Sequence, residues 1–221
     1  MKVCTDACLF GAWVADKLEA GEIRPHQILD IGSGTGLLSL MLAQKTTAQI
    51  NAVEIDEEAF LQSKENIHAS PWDKRVFVHH SSVAELPHTK KYDLIICNPP
   101  FYENQLSSPD TKRNAAMHSS TLTLKELAVT IRNLLNPHGH AAVLLPFDRH
   151  SEWETLLQDL GLSLSETIHI AHSPKHKPFR SFMLSSFSTK TGLRKEIIIK
   201  DNTAEYSAES FRLLKDYYTG F

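Results

Sequence analysis

Cysteine is scarce in this 221-residue chain: Cys4, Cys8 and Cys97 are the only three, and no two stand in CxxC spacing. An odd, unpaired count argues against a disulfide scaffold and points to a reducing compartment, so a cytoplasmic protein is expected. Cys4 and Cys8 lie four apart and could share a helix face as ligands, but small buried apolar residues are the plainer reading. The twelve histidines form no HExxH and no Cys/His cluster, so no metal is expected. No run approaches 18 apolar residues, which excludes a membrane-spanning helix and a membrane partner. The N-terminal string MKVCTDACLF has no basic start followed by a long apolar stretch, so it does not read as a secretory signal. Internal repeats and low-complexity segments are absent as well.

What is present is a chain 42% hydrophobic and 22% charged, enough for one good core. One domain over residues 1–221 is expected, with a cofactor half near 1–100 and substrate-side elements near 101–221. Nothing fixes the oligomeric state, and a monomer is the working expectation. The formal net charge of −3 does not advertise nucleic-acid binding, but its distribution is uneven. Residues 171–200 hold Lys175, Lys177, Arg180, Lys190, Arg194, Lys195 and Lys200 against one acid, Glu196. A basic segment on an acidic body suits a local phosphate-contacting surface; a solvated hairpin with surface lysines is the alternative.

The chain alternates strand and helix, the pattern of an α/β fold with a mainly parallel sheet. Strands are predicted at 27–31, 50–55, 76–79, 92–97 and 141–145, with a second group at 164–171, 182–187 and 196–199. Helices are predicted at 37–44, 57–69, 122–135, 151–160 and about 204–218. Residues 103–118 are polar and turn-rich, a long loop of the kind that usually carries function.

The strongest local signal is Asp30-Ile-Gly32-Ser-Gly34-Thr-Gly36 between the first strand and an apolar helix. Glycines allow a sharp turn and close approach of backbone to a ligand, at the sheet edge where α/β folds bind ligands. A nicotinamide fingerprint would need G-x-G-x-x-G, and here Leu37 occupies the required third position. A carboxylate at Asp30 suits a cofactor with a positive amino group rather than a pyrophosphate. Glu54 ends the second strand, where a carboxylate can accept hydrogen bonds from ribose hydroxyls.

Asn98-Pro99-Pro100-Phe101 follows the fourth strand directly. An amine on an aromatic base is a poor nucleophile because its lone pair is delocalised into the ring. The Asn98 side-chain oxygen and the Pro99 carbonyl can accept its two N–H groups and favour the charge that develops on attack. The prolines stiffen the acceptors, and Phe101 offers a stacking face.

The Asp30–Gly36 turn with Glu54 resembles the class I methyltransferases. That resemblance implies S-adenosylmethionine, with Asp30 near the methionine amino end, Gly32 and Gly34 against the cofactor, and Glu54 on the ribose. NPPF resembles the amino-methylating members, which act on adenine N6, guanine N2 or protein glutamine. The glutamine enzymes carry an extra N-terminal helical domain, for which there is no room before Asp30. The guanine enzymes continue NPPF with His, where this chain has Tyr102. Beyond the motifs, Lys2–Asp6, Leu9–Trp13, Glu65-Asn66, Ser70–Trp72, Asn98–Tyr102 and Tyr206-Ser207 are similar to the bacterial tRNA1(Val) adenine-37 N6-methyltransferases.

This resemblance implies a seven-stranded, mainly parallel sheet with helices on both faces and the last strands antiparallel. It implies Thr5, Asp6, Ser82 and Asn98 on the cofactor, Asn98, Pro99, Pro100 and Phe101 in catalysis, and a tRNA substrate. Tyr102, Lys112, Arg113, Lys175, Lys177 and Arg180 are the expected RNA contacts. The chain departs from the family in three ways. Family members carry a further segment ahead of the position of Met1. Ser82 stands where they have an Asp, and Met117 replaces the second Arg of their pattern over Arg113–His118. An enzyme for another amino group in rRNA, DNA or protein, or an inactive RNA-binding scaffold, remains as an alternative.

Overall fold

The computed structural model describes residues 4–100, 122–188 and 192–219. Phe101, Tyr102, Lys112, Arg113 and the Arg113–His118 pattern lie outside the described residues. The chain opens with α1 (Thr5–Glu19), followed by β1 (Gln27–Ile31), α2 (Leu37–Ala43), β2 (Gln49–Glu54), α3 (Glu57–His68), β3 (Val76–His80) and β4 (Tyr92–Cys97). From residue 122 onward come α4 (Leu124–Leu134), β5 (Leu135–Pro146), α5 (His150–Asp159), β6 (Ser163–Ala171), β7 (Arg180–Ser186), β8 (Leu193–Ile198) and α6 (Ala208–Leu214).

The strands form one sheet in the order β3-β2-β1-β4-β5-β7-β6-β8. Two expectations are corrected. The sheet has eight strands, not seven, with Leu193–Ile198 added along β6 as the edge strand. Only β7 runs antiparallel, to β5 and β6, while β8 pairs parallel to β6. The order reverses between β1 and β4: the chain winds outward through β2 and β3, then returns to the centre. Such a switch point opens a crevice at the carboxyl ends of the strands. Because Ile31 pairs with Cys97, Gly32 and Asn98 leave the sheet side by side.

Two apolar layers cover the faces. One packs α1, α2 and α6 on the sheet through Phe10, Trp13, Leu42, Ile96, Phe182 and Leu214; the other packs α4 and α5 through Leu127, Ile131, Val143, Trp153 and Leu157. Helix α1 is apolar on nearly every side and buried between neighbours, as all-round apolar helices are. A Cβ on Gly11 would lie 2.7 Å from the Met41 sulfur, so this glycine lets α1 close on α2. The Thr123–Glu126 capping box starts α4, each side chain bonding the other's backbone N–H.

Asp93 ties the strands at the other edge, accepting from His26 N (2.8 Å), Gln27 N (3.0 Å) and Asn136 Nδ2 (2.5 Å). Burial alone would raise its carboxyl, but these bonds outweigh it and hold it below the ordinary carboxylate range. The last helix is shorter than expected. Ala204 adopts a left-handed φ of 67°, and Ser207 caps the helix by accepting from Ser210 N.

Candidate active site

The turn after β1 is pinned to β2. Gly32 and Ser33 donate their N–H groups to the Val53 carbonyl at 2.9 and 3.1 Å, and Gly36 N closes onto Ser33 O at 2.8 Å. Gly32, Gly34 and Gly36 have φ of 69°, 55° and 81°, the left-handed region that disfavours side chains. Their surroundings differ. A Cβ on Gly36 would strike Ser63 Oγ at 2.8 Å, whereas nothing lies within 4 Å of one on Gly32. Gly36 therefore serves packing against α3, and Gly32 faces open space.

Glu54, at the end of β2, is buried and braces this turn. Its Oε2 accepts from Gly34 N at 2.8 Å, and its Oε1 accepts from Ile55 N and Asp56 N, both at 2.9 Å. A carboxylate has about four acceptor positions, so these bonds leave room on Oε2 for one more donor. Ile55, next in the chain, is 46% exposed, which puts an apolar side chain beside the acid at the mouth of the crevice.

Asp30 is fully buried. Its Oδ2 accepts from Ser39 N at 3.1 Å and Ser39 Oγ at 2.7 Å, while Oδ1 has no partner among the described residues. Burial outweighs the Ser39 bonds, and the Glu54 charge adds to it, so the carboxyl is pushed up to about 7. Asn98 Oδ1, at the end of the neighbouring strand, is likewise buried without a partner among the described residues. Orphaned buried acceptors are costly unless a ligand answers them. Two of them, on adjacent strand ends beside an open glycine, suit a ligand carrying N–H donors. Pro99 is partly exposed and Pro100 exposed.

Thr5 and Asp6 begin α1. Asp6 Oδ2 accepts from Arg180 Nε at 2.9 Å, so an expected cofactor residue and an expected RNA residue are joined to each other. Ser82 caps the short turn Val83–Glu85: its Oγ accepts from Ala84 N at 3.3 Å, and its N–H donates to Glu85 Oε2.

The basic segment is divided by the fold. Lys175 and Lys177 are exposed on the β6–β7 connection, which emerges at the same carboxyl edge as Asn98. Arg194 pairs with Glu154 at 3.2 Å and Lys195 lies 4.0 Å from Glu166, both away from that loop. Lys200 donates its backbone N–H to His172 O at 3.0 Å and so returns to the loop's base. Lys190 lies outside the described residues.

Sequence reasoning missed several residues of this edge. Ser39 was hidden as one polar position in an apolar helix, although a serine three residues past a Gly-rich turn is a detectable anomaly. Ile55 could have been noticed as an apolar residue just beyond the strand-ending acid. The Asp6–Arg180 pair, 174 residues apart in sequence, left no local signal.

Residues 12–136 match the family described as Methyltransferase small domain. A protein of Dyadobacter fermentans named tRNA1(Val) (adenine(37)-N6)-methyltransferase is 46% identical over 83% of this chain and 74% of its own length. One of the same name from Parabacteroides distasonis is 39% identical over 99% of this chain and 91% of its own. Among solved structures, a predicted O-methyltransferase of Agrobacterium tumefaciens superposes with a TM-score of 0.71 at 15% identity, covering 95% of each chain. Magnesium protoporphyrin IX methyltransferase of Synechocystis PCC 6803, with bound SAM, gives 0.55 at 18% identity over 81% of this chain and 80% of that one. At such identities these two structures speak for the fold alone, and the fold agrees with the switch point described above. With the glycine turn, Glu54 and Asn98-Pro-Pro converging at that switch point and the relatives aligning over most of the chain, the protein belongs to the methyltransferases and, within them, to the tRNA1(Val) (adenine(37)-N6)-methyltransferase family.

Proposed function

We propose that this chain transfers a methyl group from S-adenosylmethionine to the exocyclic N6 amine of an adenine in tRNA, the base beside the anticodon of tRNA(Val), in the cytoplasm. The observation that carries the reading is the pair of orphaned buried acceptors, Asp30 Oδ1 and Asn98 Oδ1, on adjacent strand ends. The relatives' names supply the substrate class.

The residues fit the cofactor. Asp30 has an acceptor for its amino group, Gly32 leaves room at the turn, and Glu54 retains one acceptor position for a ribose hydroxyl. Thr5, Asp6 and Ser82 complete the proposed cofactor set. When bound, S-adenosylmethionine supplies an electrophilic methyl on a sulfonium. The chain's own part is to make the amine reactive and to orient it. Asn98 Oδ1 accepts one N–H and the Pro99 carbonyl the other, which draws the lone pair out of conjugation and stabilises the charge that grows on nitrogen. Holding the amine in line supplies much of the remaining acceleration. Phe101 stacks the adenine, and Tyr102, Lys112, Arg113, Lys175 and Lys177 contact the RNA. Arg180 steadies Asp6 from the same side.

The test is transfer from labelled S-adenosylmethionine to total tRNA, rRNA and DNA offered separately, followed by digestion to nucleosides. Label is expected in N6-methyladenosine from tRNA. Label in a methylated guanine, in DNA or in the protein itself would point to the alternative amine substrates, and none at all to an inactive scaffold.

A further inference from the structure

Of the exposed phenylalanines among the described residues, Phe77, Phe147 and Phe211, only Phe147 follows the carboxyl end of a sheet strand. It is 40% exposed and yet held firmly. Pro146 precedes it, and the Phe147 N–H donates to Phe179 O at 3.1 Å. Its ring packs edge-on against His169, with centroids 4.9 Å apart. His169 is fixed in turn by Ser181 Oγ at 3.0 Å and by the His150 ring at 5.3 Å. Burial lowers both histidines from the ordinary imidazole range, so the support behind Phe147 is uncharged at neutral pH. An exposed aromatic ring held in one orientation by its neighbours offers a stacking face to a flat partner.

Position and charge identify what covers it. Cys97 pairs with Val143, so Asn98 stands level with Leu144, and Phe147 comes three residues later, opening a short 3-10 turn just beyond the end of β5. At strand rise that is on the order of 10 Å, the reach of a neighbouring nucleotide rather than of the reacting base. The loop that binds Phe147 through Phe179 carries the exposed Lys175 and Lys177. An aromatic face beside flexible cations is how proteins hold unpaired nucleotides, by stacking the base and neutralising its phosphates.

We infer that Phe147 is a stacking platform for a base next to the target adenine. The inference rests on the RNA reading above, naming a further contact for the same substrate.

The test uses an anticodon stem-loop with 2-aminopurine next to the target adenine, bound to the full chain. Wild type and Phe147→Tyr are expected to quench the probe. Phe147→Ala and Phe147→Leu are expected to leave it bright and to raise the RNA KM about tenfold, the usual size of one base–aromatic stack. Their kcat, cofactor affinity and melting temperature are expected to stay near wild type. Equal quenching and KM in Phe147→Ala would overturn the platform. So would full recovery in Phe147→Leu, since leucine offers apolar area without a ring. The quench reads binding alone: a Phe147-dependent quench without methyl transfer overturns the catalytic reading and keeps the platform, and transfer with a Phe147-independent quench does the reverse.

Discussion

The ends of β1 and β2 and the ends of β5 and β6 share one edge of the sheet but are constructed differently. At β1 and β2 the polar groups are buried and already hydrogen-bonded: Glu54 to three backbone N–H groups, Asp30 to Ser39. At β5 and β6 the surface is open, with Phe147, Lys175 and Lys177 facing outward. Under the proposed function, the first region holds a small ligand through fixed dipoles already in place, and the second meets a large, charged, deformable one, for which adaptable lysines and a flat ring suffice. The difference implies that damage to one region should leave the other's ligand untouched, and the predictions follow from that separation.

The largest effect is expected at Gly34. Valine there must adopt a φ near 55° and fills space at the turn. Gly34→Val should lose detectable cofactor binding by calorimetry while tRNA affinity persists. A folded variant with wild-type cofactor affinity would break the assignment of the turn. Next is Asn98→Ala. Removing one acceptor aimed at transition-state charge should lower the single-turnover rate roughly 10²–10³-fold. Cofactor and tRNA affinities, measured separately, should change far less, and turnover at the wild-type rate would deny Asn98 its role.

A smaller, pH-dependent effect is expected at Asp30. With its carboxyl raised to about 7, the ionised form that suits an amino group grows between pH 6 and 8. Cofactor affinity should rise about tenfold across that range in wild type, and the rise should vanish in Asp30→Asn. Stability of the ligand-free protein runs the other way. The folded carboxyl holds its proton above its unfolded value of 3.8, so stability falls as pH climbs from there to about 7 and then levels. Asp30→Asn should therefore melt higher than wild type at pH 8, and a lower melting temperature would show that the buried charge is compensated.

The same contrast explains what could be read from the sequence. The glycine turn, Glu54 and Asn98-Pro99-Pro100 were legible because each is a short string at the end of an apolar strand, and its chemistry is local. Helix α1 was not predicted from periodicity, because with nearly every position from Ala7 to Leu18 buried there is no polar face to mark a 3.6-residue repeat. The strand at Leu193–Ile198 was seen in part, but its pairing along β6, and so the eighth position in the sheet, depends on register. The basic segment looked like one surface. In space Arg180 and Arg194 are spoken for by Asp6 and Glu154, whose places in the sequence give no hint of the pairing. Phe147 was an ordinary residue after a strand until the sheet order set it at the same edge as Asn98.

The most direct test of the division is the salt dependence of tRNA binding in Lys175→Glu/Lys177→Glu, with cofactor affinity measured on the same preparation. The predicted result is an affinity lower by about tenfold and a log–log salt slope shallower by about 1.5, as two lost phosphate contacts require, with S-adenosylmethionine binding unchanged. Unchanged tRNA affinity and slope, or an equal loss of cofactor binding, would contradict it.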